Sequence, residues 1–514
     1  TGYFWPDSRV TINLAPADVR KEGPVYDLPV ALAILRASRM LPTPADAGQD
    51  DDQLTPREPM ARDSADPEPG LAEVVTELAA EEGPDALVRR VVAIHNPDRR
   101  TAVRHPPPDL DDWLLAGELA LDGRLRPVRG VISLSLLAKA QGRRGVIVPA
   151  DNADEAAVVD GIEVLSATHL REVIGFVRGE IDLPRTSSID VDRIVAHTTL
   201  DIDFGDIRGQ EAAKRALTIA AAGGHNILLI GPAGTGKTMM ARALPGILPP
   251  LSRDEALEVT RVHSSVGPLP RGQPIISRRP VRAPHHTASV AAVVGGGSIP
   301  RPGEVSLAHR GVLFLDELPE FSRGVLESLR EPLEDGHVTI ARAHSSIRFP
   351  AQIMLIAAMN PTTQGGGRIE DVRRDPADRY LNRLSGPLVD RIDLHVEVGA
   401  VPFRQLSSER RGTDTPTMRA RVETARQVQR SRQASTLNAE LSGRRLDKLA
   451  TLDPAAREML GRAMSELGLS ARAYDKLRRV ARTIADLEGQ ETVTVSHVAE
   501  AVQYRLLDRA RAGA

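Results

Sequence analysis

A chain of 514 residues with 41% hydrophobic and 26% charged residues has the composition of a soluble globular protein and the length for about two to four domains. A net charge of −3 excludes a polycation, so any nucleic-acid surface has to be a local patch, and no apolar run reaches the roughly 18 residues of a membrane span. With no cysteine, disulfides, iron–sulfur clusters and thiolate zinc sites are excluded together, and a cytoplasmic setting is expected.

The opening TGYFWPDSR has no signal-peptide pattern and no methionine, and the strand-like RVTINLAP follows almost at once. The first domain is therefore expected to lack its opening strands. An apolar helix follows in LPVALAILRAS. From Asp46 to Asp85 there are thirteen acidic residues, two arginines and five prolines, the composition of a solvated insertion spanning about residues 43–108. Order returns at Trp113. LLAGELALDGRLRPVRG reads as strand, turn and strand with Asp122-Gly123 at the turn, LLAKAQ as helix, GVIVPA as a buried strand and NADEAAVV as the next helix start. Residues 178–200 read as a polar connector.

The run IRGQEAAKRALTIAAAGGHNILLIGPAGTGKT then predicts helix, strand, glycine-rich loop and helix. Gly231, Pro232, Ala233, Gly234, Thr235, Gly236, Lys237 and Thr238 form a complete G-x-x-x-x-G-K-[ST] phosphate loop. Its glycines let backbone N–H groups face phosphates, Lys237 is placed to reach the β- and γ-oxygens of ATP, and Thr238 to hold Mg2+. Only six of the 66 basic residues are lysine, so a lysine here, where a compact charge is needed rather than a guanidinium fork, carries weight. VLFLDE ends an apolar strand in Asp316, suited to magnesium, and Glu317, suited to polarising the attacking water. QIMLIAAMN ends in Asn360, the place of a polar sensor. RIDLHVEV adds a strand, and the alternation with helices argues for a parallel α/β core. Arg391 stands just before that strand in the position of an arginine finger acting on a neighbouring subunit, with Arg383 a second candidate and Arg472, at a helix start, a second sensor. After about residue 412 the pattern is helical to the end.

DIRGQEAAKRAL, the phosphate loop, PVRAPHHTASVAAVVGGGSIPRPGEVSLAHRGVLFLDELPEF, LREPLEDGHVTIARA and YLNRLSGPLVDRIDLHVEV together resemble the magnesium-chelatase-like AAA+ proteins, and within that group the ComM/YifB family. The resemblance covers nearly the whole chain apart from the acidic insertion. It implies a multidomain α/β protein. A Lon-like, S5-type α+β domain would occupy residues 1–177, a linker 178–200, an AAA+ P-loop core with a parallel sheet 201–411, and an all-α lid 412–514. It further implies a hexameric, ATP- and Mg2+-dependent DNA helicase promoting branch migration during natural transformation.

The stretch RKEGPVYDLPVALAIL is similar to the nucleophile segment of a Lon peptidase. By that resemblance the nucleophile falls near Val25 and Tyr26 and its lysine partner near Ile132, and neither position carries the chemistry. Ser133 and Ser135 are hydroxyls without a base, and Lys139 lies about two helical turns on. No peptidase activity is expected.

Two segments resemble DNA-gripping inserts. Residues 261–303 carry Arg278, Arg279, Arg282, His285 and His286 before a glycine run. VTIARAHSSIRFP reads as a hairpin with Arg342, His344 and Arg348. Their expected contact is with phosphates of single-stranded or branched DNA, independent of sequence. The cysteine-rich loop of many relatives is NPTTQGGGRIEDVRRDPADRY here, so no zinc is expected. Two other readings share the ATPase core: a magnesium-chelatase motor subunit that remodels a protein partner, and an ATP-switched scaffold that does not translocate.

Overall fold

The computed structural model describes residues 24–37, 41, 108–196, 202–270, 272–297, 300–342, 345–361, 386–403, 412–505 and 507. The RVTINLAP strand, the acidic insertion, Arg383 and His344 lie outside the described residues, as does most of the cysteine-free loop after Asn360. The chain forms two units, residues 1–189 and 190–514.

In the first unit, a four-stranded sheet runs in the order Trp113–Leu115, Gly145–Pro149, Glu163–Ala167, Arg185–Thr186. Its first three strands are parallel and the last is antiparallel. All five residues of Gly145–Pro149 are buried because both faces are covered, the condition under which a strand reads as a continuous apolar run. Val146 and Val148 pack with helix Val131–Ala140, while Ile147 packs with Leu28, Leu32 and helix Leu170–Val177. Gly123 takes φ +86° in the turn joining Glu118–Leu119 to Leu125–Arg126, as the Asp-Gly pair predicts. The connector reading needs correction at its start. Arg185–Thr186 is a sheet strand and the Ile189 N–H donates to the Ala157 carbonyl at 3.0 Å, so these residues complete the first unit.

At the positions similar to a peptidase site, Val25 and Tyr26 form a 3-10 turn and Ile132 is buried. The Ile132 N–H donates to Glu155 Oε1 at 3.1 Å. Ser135 is buried beside it, whereas Ser133 and Lys139 are exposed.

The second unit is built on a five-stranded, wholly parallel sheet ordered Leu394–Glu397, Ile227–Ile230, Met354–Met359, Val312–Leu315, Val281–Arg282. Alternate residues face alternate layers. Ile227, Leu229, Phe314 and Ile356 join helix Glu211–Gly223 and the C-terminal helices. Leu228, Ile230, Leu313 and Leu355 pack with the segments after Glu317 and with the hairpin strand from His337. The edge strand Val281–Arg282 lies inside the stretch read from sequence as an insert. Two residues are too short to carry a period, and only the register with Val312 and Leu313 reveals them.

The C-terminal region is helical: Thr415–Gln433, Gly443–Leu449, Pro454–Glu466, Ala471–Leu487 and Val495–Gln503. Asp414, Asp453 and Ser470 cap three of these helices through their side chains. Much of the arginine content serves this packing. Arg432 binds both oxygens of buried Asp486, at 2.6 and 2.8 Å, and Arg482 binds the same carboxylate at 3.1 Å. A buried ion pair joins the region to the sheet, with Lys476 Nζ 3.1 Å from Asp393 Oδ1 and 3.1 Å from the Ile392 carbonyl. Burial alone would raise the Asp393 pKa, but the Lys476 ammonium and the His225 imidazole outweigh it and hold the carboxyl well below its usual range. Among the described residues no helix is long and apolar enough to cross a membrane.

Replacing Asp393 by Asn leaves the Lys476 charge buried without its partner. The motor unit should lose about 3–5 kcal/mol of stability at neutral pH. Because the folded pKa is depressed, this stabilisation is present above the unfolded-state value of roughly 4 and is lost as pH falls below it. Denaturant unfolding of parent and Asp393→Asn from pH 7 to pH 3 should show a gap that is steady down to about pH 4 and narrows below.

Candidate active site

The phosphate loop leaves the buried strand Ile227–Ile230 and enters helix Lys237–Ala243. Its glycines answer two different demands. Gly231 runs against the neighbouring strand's continuation, where an added Cβ would stand 2.0 Å from the Val398 carbonyl oxygen. Gly234 and Gly236 take φ +77° and +88°, the left-handed region in which only glycine is unstrained. Between them Thr235 donates its hydroxyl to the Pro232 carbonyl at 2.9 Å. Gln210, from the DIRGQE segment, donates to the carbonyls of Thr235 at 3.2 Å and Gly399 at 2.7 Å, pinning the loop from outside. Gln210 carries no local signal in the sequence, because its role depends on a contact 189 residues away.

Lys237 is buried, and its ammonium donates to the Gly231 and Pro232 carbonyls at 2.7 and 2.8 Å and to Asn360 Oδ1 at 3.2 Å. Burial lowers its pKa, opposed by the nearby Asp316 carboxylate. Thr238 Oγ1 donates to Asp316 Oδ2 at 2.9 Å. The parallel sheet brings this about by ending three strands side by side, at Ile230, Leu315 and Met359. Lys237, Thr238, Asp316, Glu317 and Asn360 therefore converge from three separate stretches of sequence.

Glu317 sits at φ +51°, uncommon for a residue with a side chain, and its N–H donates to Asp316 Oδ1 at 3.0 Å. The turn sends the two adjacent carboxylates different ways, Asp316 toward Thr238 and Glu317 toward His286, whose Nδ1 lies 3.3 Å from Glu317 Oε2. A nucleoside triphosphate fits this donor set. The Gly234–Thr238 N–H groups and Lys237 would hold its phosphates, and the hard oxygens of Thr238 and Asp316 would suit Mg2+. The metal would neutralise charge on the β- and γ-phosphates, and Glu317 would be the carboxylate left to polarise water.

Arg391 and Arg472 do not join this group. Arg391 is buried before the Leu394–Glu397 strand, its Nη2 donates to Glu334 Oε1, and its carbonyl accepts from Asn226 Nδ2 at 3.1 Å. Burial lowers its pKa, with the charges of Arg330 and Arg472 adding and Glu327 opposing. Arg472 begins the helix whose Lys476 binds the Ile392 carbonyl. Both arginines thus lie at the end of the sheet where strands begin, while Lys237 lies where they finish. The intervening four-residue strand alone spans about 13 Å.

The segments expected to touch DNA divide. Arg279 is engaged inside the protein, donating to the carbonyls of Pro249, Pro250 and Arg310 and to Glu255 Oε2 at 2.9 Å. Arg282 forms a fork with both oxygens of Glu304 at 2.5 and 2.7 Å. His285 and His286 stack with ring centres 4.1 Å apart, and His286 faces Glu317. Arg279, Arg282 and His286, expected from the sequence to touch DNA, thus have polar partners within the protein. Alternation of charge and apolar residues in a loop does not reveal such partners. The expected hairpin is present. His337–Arg342 pairs antiparallel with Ser345–Pro350, and exposed Arg348 has Nη2 2.7 Å from His337 Nδ1. Arg342 closes the first of these strands.

Lys237→Ala should lower kcat/KM for ATP by about 10²–10³-fold, in the range of a lost transition-state donor. Gly231→Ala, which drives a methyl into the Val398 carbonyl, should abolish nucleotide binding with the melting temperature of the first unit unchanged. Steady-state ATP hydrolysis would check the first, and isothermal titration with ATP and Mg2+ together with calorimetric melting the second.

Residues 203–406 match the family model described as magnesium chelatase, subunit ChlI, and residues 412–505 match the ChlI C-terminal model. Residues 1–48 and 101–152 match a model described as subunit ChlI of Mg-chelatase. The YifB protein of Escherichia coli K12 is 41% identical over 99% of this chain and 87% of its own length. The competence protein ComM of Haemophilus influenzae is 40% identical over the same shares. The magnesium-chelatase 38 kDa subunit of Rhodobacter capsulatus is 28% identical over 60% of this chain and 87% of its own length. The chain belongs to the ComM/YifB family and carries an ATPase domain of the magnesium-chelatase ChlI type.

Proposed function

We propose that the protein is an ATP-driven DNA translocase of the helicase type, working as a homo-oligomeric ring, a hexamer by family resemblance, to promote branch migration when incoming DNA is recombined. The observation that carries the ring is the division of the ATPase machinery between the two ends of one sheet. Lys237, Thr238, Asp316 and Glu317 gather at one end, and Arg391 and Arg472 gather at the other. An arginine finger that cannot reach its own phosphate loop serves that of the next copy, and stabilising transition-state charge there makes hydrolysis depend on assembly. The exposed Arg348 on the hairpin supplies a salt-sensitive, sequence-independent phosphate contact.

The competence protein ComM, matched across nearly the whole chain, favours DNA as the client. A chelatase-type motor remodelling a protein is the second reading, supported by the match to the chelatase 38 kDa subunit over 60% of the chain. The matches over 99% of the chain favour the first. We read the front unit as a Lon-like, S5-type scaffold for assembly or for contacting DNA or a partner. The valine and isoleucine where that resemblance puts the nucleophile and its base support the absence of peptidase chemistry.

Forked or four-way DNA should stimulate ATP hydrolysis by the purified ring. Glu317→Gln should lower turnover by about 10²–10⁴-fold with ATP affinity kept. A rate indifferent to DNA in the parent would favour the protein-client reading. Arg391→Ala should lose about 10³-fold or more in turnover. Mixing it with Lys237→Ala subunits should restore hydrolysis at composite sites, and a mixture that co-assembles yet stays inactive would remove the trans-acting role.

A further inference from the structure

Asn226 is the last residue before the strand Ile227–Ile230, at the end of the sheet opposite the phosphate loop. Its side-chain amide makes two bonds of opposite sense. Nδ2 donates to the Arg391 carbonyl at 3.1 Å, and Oδ1 accepts the Leu355 N–H at 2.9 Å. One partner is a carbonyl and the other an N–H, so a single orientation of the amide satisfies both. The backbone is engaged as well. The Asn226 N–H donates to Asp393 Oδ2 at 3.2 Å, and its carbonyl accepts the N–H groups of Asp393 at 2.9 Å and Leu394 at 3.1 Å. Parallel pairing of Ile227 with Leu394 accounts for the bonds to the Asp393 and Leu394 N–H groups. It does not account for a side chain that reaches back to Arg391.

Arg391 lies outside the ladder, in the turn between helix Gly386–Val389 and the strand Leu394–Glu397. Its N–H donates to the Leu388 carbonyl at 2.9 Å, and its carbonyl is held by Asn226. Together these bonds fix the peptide units on both sides of its Cα, and so the direction in which the side chain leaves the backbone. The guanidinium ends on Glu334, which is exposed. A planar donor fork stabilises transition-state charge only when it is aimed, and a misplacement of about 1 Å costs about 10²-fold in rate. Asn226 also opens the strand that ends in the phosphate loop. One strand thus serves the subunit's own nucleotide site at its finish and holds Arg391 at its start.

We infer that Asn226 is a positioning residue for Arg391, its amide holding in place the backbone from which the guanidinium reaches the ATP site of the neighbouring copy. This rests on the reading of Arg391 as a trans-acting finger. A purely local role, anchoring the start of Ile227–Ile230, would instead be felt at the phosphate loop of the same subunit. The two roles act in different subunits, so a mixed ring separates them.

Asn226→Ala removes both side-chain bonds. Asn226→Asp has the parent's shape, keeps an acceptor for the Leu355 N–H and removes the donor to Arg391. Steady-state hydrolysis by each full-length variant should show kcat lowered by about 10²-fold with KM for ATP unchanged. Rings are then mixed from Lys237→Ala subunits, which supply Arg391, and Arg391→Ala subunits, which supply the phosphate loop, with co-assembly checked by light scattering. Adding Asn226→Asp to the Lys237→Ala subunits should lower hydrolysis at the composite sites by about 10²-fold. Adding it to the Arg391→Ala subunits should leave the rate of the unmodified mixture. A loss confined to the second arrangement, or equal in both, overturns the positioning role, as does a parent-like kcat in both single variants. If the unmodified mixture co-assembles yet stays inactive, the trans-acting role of Arg391 falls first and the role of Asn226 falls with it.

Discussion

The pairing of Ile227–Ile230 between Met354–Met359 and Leu394–Glu397 is the constraint on which the rest of the motor depends. Parallel strands finish on the same edge, so one pairing scheme delivers Lys237, Asn360 and Asp316 to one place from stretches up to 123 residues apart. The same pairing puts the starts of the strands on the other edge, with Asn226, Arg391 and Asp393. Polarity of the sheet thus becomes polarity of the subunit, with phosphate chemistry at one end and arginines at the other.

The buried ion pair of Asp393 with Lys476 fixes the second consequence. An isolated buried charge costs several kcal/mol, so each partner requires the other. The helix carrying Arg472 is therefore locked to the strand that follows Arg391. Arg472 lies near enough for its charge to disfavour the protonated form of Arg391. A neighbouring subunit's nucleotide, bearing concentrated negative charge, would relieve that repulsion, and so the proposed assembly is favoured by the same charges that burden the single chain.

In the segment before the glycine run, polar groups expected from the sequence to touch DNA have partners within the protein. Arg279 ties three carbonyls and Glu255, Arg282 forks onto Glu304, and His286 rests on Glu317. Basic residues next to a glycine run resemble a nucleic-acid grip because they share its composition. The difference is whether acceptors within the protein already meet their donors, and that is a property of packing. Arg348 is exposed on the hairpin with its guanidinium against His337.

The sequence by itself determined the local parts. The phosphate loop is legible because glycine spacing, a lone lysine and flanking strand and helix are enforced by backbone geometry within about ten residues. The DE terminus, the Asp-Gly turn and the hairpin are legible for the same reason. Tertiary structure alone decided which parts meet. The two-residue edge strand Val281–Arg282 and the Arg185–Thr186 strand are too short for periodicity and exist only through their neighbours. Gln210 binding Gly399, His225 and Lys476 flanking Asp393, and His286 reaching Glu317 join residues far apart in sequence, and no local propensity encodes a contact whose other half is supplied by another strand.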